Sequence, residues 1–248
     1  MTKRGAAAVG QADLASLARA SGLALQSYRQ AHVSACVARA LTRHETQNVA
    51  GLARLCQLDP AVRATLRRCI LVPVTGLFRD PEQFELLEQR VLPGLLGRRG
   101  GLSAWSAGCS DGSELYSVVL MLQRLGALAR SRLRGSDLSA GRVELARRGA
   151  MVSAAVRREA RPVLRWERRD LLREPPPPGA FDLVLCRNVT IYFEPAAQRA
   201  VYVKLAATLH PGGVLMLGTC ERLLAPAQFG LAVAGPHLYR RVAACGAA

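Results

Sequence analysis

Residues 105–116 read Trp-Ser-Ala-Gly-Cys-Ser-Asp-Gly-Ser-Glu-Leu-Tyr, an apolar run that enters a turn and continues into helix-forming residues. The stretch predicts a strand, a glycine turn and a helix. Gly108 and Gly112 flank the turn, and glycine lets the backbone approach a ligand closely. The turn therefore predicts a site for a nucleotide-like cofactor, although two such glycines could also do no more than shape the connection.

Strands and helices alternate along the chain from residue 102 onward. Residues 181–193, Phe-Asp-Leu-Val-Leu-Cys-Arg-Asn-Val-Thr-Ile-Tyr-Phe, have the form of a second buried strand that ends in polar groups. The predicted strands are 102–107, 132–136, 163–167, 181–186 and 213–217, with a last pair near 230–242, and the predicted helices are 112–125, 139–148 and 195–209. Such alternation predicts an α/β fold with a Rossmann-like, mainly parallel sheet and helices on both faces.

The chain before residue 70 predicts a small all-helical domain, because its apolar residues recur at helical spacing and strand formers are few. Asp59 and Pro60 have the types preferred at a helix N-cap and first helical position, which predicts a helix over 61–69. Another helix is predicted over 81–96. The predicted organisation is a flexible tail at 1–10, a helical domain at 11–70 and an α/β domain at 71–248.

The chain carries a formal net charge of +16. Arginine supplies all but two of the 34 basic residues, the exceptions being Lys3 and Lys204. A positive field of this size favours an acidic partner surface. Only 5% of the residues are aromatic, and we find no aromatic and basic platform of the kind that single-stranded nucleic acid prefers. The sequence therefore predicts a protein partner and no nucleic acid.

The seven cysteines are scattered without the spacing of metal ligands, and most of them lie in apolar segments. This pattern predicts reduced, buried thiols, no metal site and a cytoplasmic protein. No apolar run approaches the roughly 20 residues that a membrane-spanning helix needs, so no membrane insertion is expected.

Acidic side chains follow three of the predicted strands, where ligands of parallel sheets bind. Glu114 lies on the first turn of a helix and could accept from the amino group of S-adenosylmethionine (SAM). Asp137 ends the second strand and could accept from ribose hydroxyls, or could cap the helix that follows. Asp170 follows the third strand, where an acceptor suits the adenine amine. The glycine fingerprint of nicotinamide-binding domains is absent after Gly108, which favours SAM.

Five motifs resemble, in order and spacing, those of the CheR family of chemotaxis-receptor protein-glutamate O-methyltransferases. They are Thr75-Gly-Leu-Phe-Arg79, Trp105-Ser-Ala-Gly-Cys-Ser-Asp-Gly-Ser-Glu114, Ser136-Asp137, Cys186-Arg-Asn-Val-Thr-Ile-Tyr-Phe193 and Leu217-Gly-Thr-Cys-Glu221. The resemblance covers roughly residues 70–242, and the block that begins at Cys186 is its most specific part. It implies methyl transfer from SAM to glutamates on the acidic methylation helices of chemoreceptors, with S-adenosylhomocysteine (SAH) as product.

The resemblance also implies a set of site residues. Those expected to contact the cofactor are Thr75, Arg79, Gly108, Glu114, Asp137, Asp170, Leu171, Arg187 and Asn188. Within this set, Glu114 would bind the methionine moiety, Asp137 the ribose, and Asp170 with Leu171 the adenine. Arg79 and Tyr192 are the expected catalytic pair, with Tyr192 beside the reacting methyl group.

Four departures from the family pattern are visible, one of them at Asp170, which stands where asparagine is common. Ser113 replaces the first of two glutamates in the glycine turn, Leu115 replaces a proline, and Thr219-Cys220 replaces a His-Ser pair. Only 32 residues separate Asp137 from Asp170. Many members hold a receptor-tethering peptide with a small β-subdomain in that interval, so this chain is expected to lack it.

A glutamate carboxylate is already ionised at neutral pH, with a reference pKa of about 4.3, so its methylation needs no strong general base. Arg79 could hold the carboxylate with its planar guanidinium and the Tyr192 hydroxyl could orient it. The four histidines are expected to be structural or solvated. Two other functions remain open: a degenerate SAM-binding regulatory module without turnover, and, favoured only by charge, a nucleic-acid methyltransferase.

Overall fold

The computed structural model describes residues 9–97 and 100–242. Most of the predicted tail, residues 1–8, lies outside the described residues, as do positions 243–248 of the predicted α/β domain. Val9 is buried, and its amide donates to Ser34 Oγ at 3.4 Å. None of the described helices is long and apolar enough to cross a membrane.

The described chain forms two compact units. One contains the residues up to Pro73 together with Tyr192–Gln198, and the other contains Val74–Ile191 and the residues from Arg199 onward. The short segment at 192–198 thus belongs to the helical unit although it follows the sheet motif at 181–191 in sequence.

Four helices build the first unit: α1 (Gln11–Ser21), α2 (Gln30–Arg43), α3 (Val49–Leu58) and α4 (Pro60–Leu71). Their apolar faces meet in a core in which Leu17, Leu52 and Leu66 are fully buried. The cap at Asp59 forms as the sequence predicts, because its carboxylate accepts from the Ala61 amide at 2.7 Å and Pro60 opens α4.

Seven strands form the sheet of the second unit. They are β1 (Ser103–Ala107), β2 (Arg132–Asp137), β3 (Leu164–Arg168), β4 (Phe181–Cys186), β5 (Leu209–Leu217), β6 (Leu231–Gly235) and β7 (Leu238–Arg241). The spatial order is β3-β2-β1-β4-β5-β7-β6, with β1 to β5 parallel and β7 antiparallel to β5. This is the α/β sheet that the alternating pattern predicts.

The helices of this unit are α5 (Pro81–Leu86), α6 (Leu92–Leu96), α7 (Ser113–Arg124), α8 (Ala140–Arg148), α9 (Ala154–Ala160) and, shared with the helical unit at its start, α10 (Pro195–Ala207). Successive strand residues point to opposite faces of a sheet. Ala104 packs in the cluster that holds α7, whereas Trp105 lines a cavity with Val201 and Leu205 of α10. Both faces are therefore covered by helices.

Two local predictions differ from the structure. The helix expected over 81–96 is interrupted by a π-helical turn at Leu87–Val91, because Pro93 lacks an amide and crowds the preceding turn. The strand expected at 213–217 begins at Leu209, which pairs with Phe181. The fully described interval between β2 and β3 contains the predicted helix as α8 and a further short helix, α9, and it has no β-subdomain, as expected.

The parallel topology brings the loops after β1, β2, β3 and β4 to one edge of the sheet. The strand order reverses between β1 and β4, the point at which ligands of such sheets bind. The loops at 108–112, 137–139, 169–173 and 187–190 therefore border the candidate functional site.

Gly135 of β2 lies in register with Trp166 of β3, and a Cβ atom at Gly135 would come within 2.3 Å of the Trp166 ring. We expect Gly135→Ala to lower the free energy of unfolding by about 1–3 kcal/mol, as overpacking does. The matched control is Gly94→Ala, since Gly94 is exposed in α6 with open space around it. Denaturant unfolding should show the control unchanged or stabilised; equal stability of both variants would contradict the prediction.

Candidate active site

The glycine turn after β1 presents bare backbone. Gly108 has φ +80°, and its amide and that of Cys109 both donate to the Ser136 carbonyl, at 2.8 and 2.9 Å. A Cβ atom at Gly108 would come within 2.5 Å of Val189 Cγ2. The turn must therefore be glycine, both for its left-handed backbone and for its close approach to the loop after β4.

Asp137 fastens the glycine turn to the end of β2. Its carboxylate accepts from the Ser110 amide at 2.9 Å and from the Ser139 amide at 2.8 Å. Ser139 itself caps α8 through its own side chain. The N-cap of α8 is therefore Ser139, and the alternative in which Asp137 caps this helix is not realised; the role of Asp137 at a ribose stays a prediction.

Glu114 is the second residue of α7, and its side chain is largely buried. One carboxylate oxygen accepts from Ser106 Oγ at 2.7 Å, and the other lies 3.5 Å from Arg187 Nη1. Burial raises the pKa of the Glu114 carboxyl above its ordinary value, although Arg187 and the Ser106 hydrogen bond oppose the shift. A cation that reached this carboxylate would therefore stabilise its ionised form.

Arg187, directly after β4, holds the segment that carries Arg79 in place. Its side chain is 3% exposed and donates to Gln83 Oε1 at 2.9–3.0 Å, to Asp80 Oδ2 at 2.7 Å and to the Arg79 carbonyl at 2.7 Å. Its guanidinium also lies 4.9 Å from the centroid of the Phe84 ring. Arg187 thus fixes the 79–84 segment and faces Glu114 from the same position.

The segment that carries Arg79 has an unusual backbone. Phe78 and Asp80 both have positive φ, at +50° and +59°. Such residues persist only where the surroundings determine them, and they cluster at functional sites. The Phe78 amide is held by Ser117 Oγ at 2.8 Å, and Arg79 Nη1 donates to the Val74 carbonyl at 2.7 Å. Thr75 lies in the same loop and is partly exposed.

Glu221 holds the loop after β4 together, a role that no sequence motif predicts. Its carboxylate, 1% exposed, accepts five hydrogen bonds of 2.7–3.0 Å. The donors are the amides of Asn188, Val189, Thr190 and Gly218 and the Thr190 hydroxyl. Asn188 has φ +59° in this turn. The motif at 217–221 contained Glu221, but no local pattern in the sequence shows what the carboxylate contacts.

Asp170 and Leu171 follow β3. Asp170 is buried, and its carboxylate accepts from the Leu172 amide at 2.9 Å, so it caps its own turn. Leu171 lines a small cavity beside Trp105, and Lys204 Nζ holds the loop through the carbonyls of Leu171, Leu172 and Glu174 at 3.0–3.2 Å. Contact of these residues with adenine stays a prediction.

Tyr192 lies in the helical unit. Its carbonyl accepts from the Arg29 amide at 2.9 Å, and its ring centroid is 4.8 Å from that of His32. The next residue, Phe193, forms a β-bridge with Tyr28 and packs against its ring edge-on at 5.1 Å. The structure therefore places the two predicted catalytic residues in different compact units, and their joint action stays a prediction.

The other nine predicted site residues all lie in the sheet unit. The residues present fit SAM on three observations. Gly108 presents bare backbone at the reversal of strand order, acidic side chains follow three neighbouring strands, and the buried Ser110 Oγ has no hydrogen-bond partner among the described residues. Among the same residues, no group of three or more potential ligands could hold a metal ion.

Comparison with known proteins agrees with this geometry. Residues 73–158 and 150–234 match the family model described as CheR methyltransferase, SAM binding domain. The chemotaxis protein methyltransferase of Listeria innocua is 34% identical over 68% of this chain and 73% of its own. Chemotaxis protein methyltransferase 1 of Pseudomonas aeruginosa is 32% identical over 84% of this chain and 87% of its own.

The sheet topology and the family match define a SAM-dependent methyltransferase. The chain belongs to the CheR methyltransferase family, and SAM is its cofactor. It is a member without the β-subdomain, since α8 and α9 fill the interval between β2 and β3.

Removal of the Glu221 carboxylate should collapse the loop after β4. Glu221→Gln would aim an amide donor at backbone donors, and unsatisfied buried groups cost about 1–3 kcal/mol each. We expect a loss of about 2–4 kcal/mol of unfolding free energy and weakened SAH binding. The control is Glu82→Gln, which removes the same charge from an exposed residue of α5. Calorimetry that found wild-type affinity and stability in Glu221→Gln would refute this role.

Proposed function

We propose that the protein transfers the methyl group of SAM to glutamate carboxylates on the acidic methylation helices of chemoreceptor-type signalling proteins. The observation that carries the proposal is the braced Arg79 segment. Two left-handed residues flank Arg79, and the buried Arg187 holds its carbonyl at the edge where the SAM-binding loops meet. The names of the relatives, chemotaxis protein methyltransferases, support the same substrate class.

When bound, SAM supplies an electrophilic methyl group on a sulfonium centre, which an ionised carboxylate displaces in line. The protein then has to position the carboxylate and exclude water, since no proton needs to be removed from it. Arg79 is the residue we assign to hold the carboxylate, because its planar guanidinium matches two oxygens. Tyr192 is assigned to orient the same group through its hydroxyl.

The other predicted residues are assigned to cofactor binding. Glu114 accepts from the amino group of the methionine moiety, Asp137 from the ribose, and Asp170 with Leu171 borders the adenine. Thr75, Gly108 and Asn188 are assigned to contact the cofactor at the carboxyl-terminal edge of the sheet, through their side chains or their backbone. Arg187 acts by holding the Arg79 segment and by facing Glu114 at 3.5 Å.

The charge of the helical unit suits an acidic partner. Six of its arginines are exposed: Arg19, Arg29, Arg39, Arg43, Arg54 and Arg68. The acidic residues of the same described unit are Asp13, Glu45, Asp59 and Glu194. The excess of positive charge complements a glutamate-rich helix and favours its encounter at low salt.

Substitution of the two assigned residues should separate catalysis from cofactor binding. Arg79→Ala is expected to lower kcat by about 100-fold, comparable to the loss of one charge-stabilising donor. Tyr192→Phe, which removes only the hydroxyl, should lower kcat with SAH affinity unchanged. The control, Arg158→Ala, removes an exposed arginine of α9 and should leave both quantities at their wild-type values.

The assay is incubation with labelled SAM and chemoreceptor, followed by alkaline release of labelled methanol from methyl esters. Base-labile label on receptor glutamates is the predicted result. If SAH binds but a receptor that a family relative methylates stays unlabelled, the proposal is wrong and a regulatory SAM-binding module becomes the better description. Methylation of bulk RNA or DNA would also contradict it.

Cofactor affinity should depend on pH through Glu114. Its pKa is raised in the free protein, and a bound ammonium group favours the ionised carboxylate. Lowering the pH through this raised pKa should therefore weaken SAH binding by up to about tenfold per pH unit. Protonation of Glu114 does not itself unfold the chain, because a raised pKa means that the folded state binds this proton more tightly than the unfolded state.

The measurement is calorimetric titration with SAH at a series of pH values, from neutral pH down through the raised pKa of Glu114, with a thermal melt at each pH. Glu114→Gln should bind more weakly at neutral pH and show a shallower pH dependence. An identical pH dependence in wild type and Glu114→Gln would assign the effect to another group.

A further inference from the structure

Two cysteines meet where α2 and α4 pack in the helical unit. Cys36 Sγ donates to the Cys69 carbonyl at 3.2 Å, and Cys69 Sγ lies 4.0 Å from the Cys36 carbonyl. Each sulfur therefore packs against the backbone of the other residue. Such a reciprocal contact needs a close approach of the two helices, as a disulfide also does. Both residues are free thiols here.

Arg39 joins the two sulfurs. Its Nη2 donates to Cys36 Sγ at 3.2 Å and to Cys69 Sγ at 3.0 Å, and its Nε donates to Cys69 Sγ at 3.3 Å. Because both sulfurs contact the same nitrogen, the thiols are direct neighbours. The thiolate is the nucleophile in cysteine oxidation, and a guanidinium is a charge-assisted donor to such a group. This arrangement differs from a pair of cysteines that merely fill a core.

The two thiols have unequal environments. Cys69 is partly exposed and receives two of the three Arg39 hydrogen bonds, so it is open to a small oxidant. Cys36 is fully buried, and burial together with the Cys69 side chain raises the pKa of its thiol to about 12. The accessible thiol of Cys69 therefore suits the initial attack. Cys36 is shielded from the oxidant but shares the Arg39 contact with Cys69, so it is the group placed to meet the sulfenic acid, and its raised pKa slows that second step.

We propose that Cys36 and Cys69 form a redox pair that closes into a disulfide when the protein meets hydrogen peroxide and reopens with a thiol reductant. The Cys69 thiolate attacks one peroxide oxygen, the O–O bond breaks, and the other oxygen leaves as hydroxide and takes up a proton to become water. The resulting sulfenic acid is attacked by the Cys36 sulfur. The S–S bond forms as the S–O bond breaks, and the thiol proton of Cys36 leaves with the hydroxide as a second water. Two thiols are oxidised and one peroxide is reduced.

The pair lies next to the contacts that hold Tyr192. His32 is one helical turn before Cys36, with its Nε2 at 2.9 Å from the Ile70 carbonyl and 3.9 Å from Cys36 Sγ. The same imidazole ring packs at 4.8 Å from the ring of Tyr192. A covalent bond between α2 and α4 would change the position of His32 and thus of Tyr192. This consequence for catalysis rests on the function proposed above.

The first experiment maps the disulfide in the full-length protein. After reduction and desalting, the protein is treated with a stoichiometric amount of hydrogen peroxide, digested without reductant and analysed by mass spectrometry. We expect a cross-linked peptide pair containing Cys36 and Cys69 that disappears on treatment with dithiothreitol. Cys36→Ser should instead leave Cys69 as a sulfenic acid that dimedone traps. The control Cys220→Ser, at an exposed cysteine of the sheet unit, should form the cross-link like wild type.

Oxidation at other cysteines while Cys36 and Cys69 both stay reduced would overturn the redox pair, as would stable sulfenic acid at Cys69 without a cross-link. Because this experiment needs no methyl transfer, its result is independent of the proposed function.

The second experiment tests the link to Tyr192. Hydrogen exchange of the Tyr192–Gln198 backbone is compared in reduced and oxidised protein, and kcat is measured in both forms. We expect faster exchange and a several-fold lower kcat after oxidation, both reversed by reductant and both absent in Cys36→Ser. A disulfide that forms while exchange at 192–198 stays unchanged would refute the link to Tyr192, whether or not the reduced protein methylates receptors.

Discussion

The site depends on one buried carboxylate. Glu221 accepts hydrogen bonds from three consecutive amides, Asn188 to Thr190, and from Gly218 at the end of β5. An isolated charge would be costly at 1% exposure, but five donors satisfy it. The bonds fix the loop after β4 in a turn that includes a left-handed asparagine and that presses Val189 against Gly108. The two loops that border the reversal of strand order are thereby set against each other.

A second buried ionic side chain, Arg187, fixes the segment before α5 that carries Arg79. Arg187 follows β4, and it reaches Asp80, Gln83 and the Arg79 carbonyl while facing Glu114. Buried ion pairs contribute little net stability, because desolvation offsets their attraction. We interpret the Arg187 ion pair as a contact that positions Arg79, because it holds this residue between two residues of positive φ. Contacts outside the segment then offset the strain energy of its left-handed backbone.

Local patterns in the sequence were sufficient to predict the strands of the parallel sheet. β4 has the predicted bounds, 181–186, and the glycine turn, the mainly parallel sheet and the family are predicted by motifs that are each only a few residues long. Contacts between distant residues were not predictable in this way. Glu221 meets Thr190 across 31 positions, and Tyr28 meets Phe193 across more than 160, so no periodicity records either pair. The membership of Tyr192 in the helical unit is a consequence of the second contact.

In the proposed function, the loops gathered by Glu221 and Arg187 hold SAM with its amino group at Glu114. A crystal structure of the protein with SAH tests this claim most directly. We expect the ligand across the carboxyl ends of β1, β2 and β4, with its amino nitrogen within hydrogen-bond distance of the Glu114 carboxylate and its ribose hydroxyls at Asp137. A ligand bound elsewhere, or one whose amino group lies away from Glu114, would contradict it.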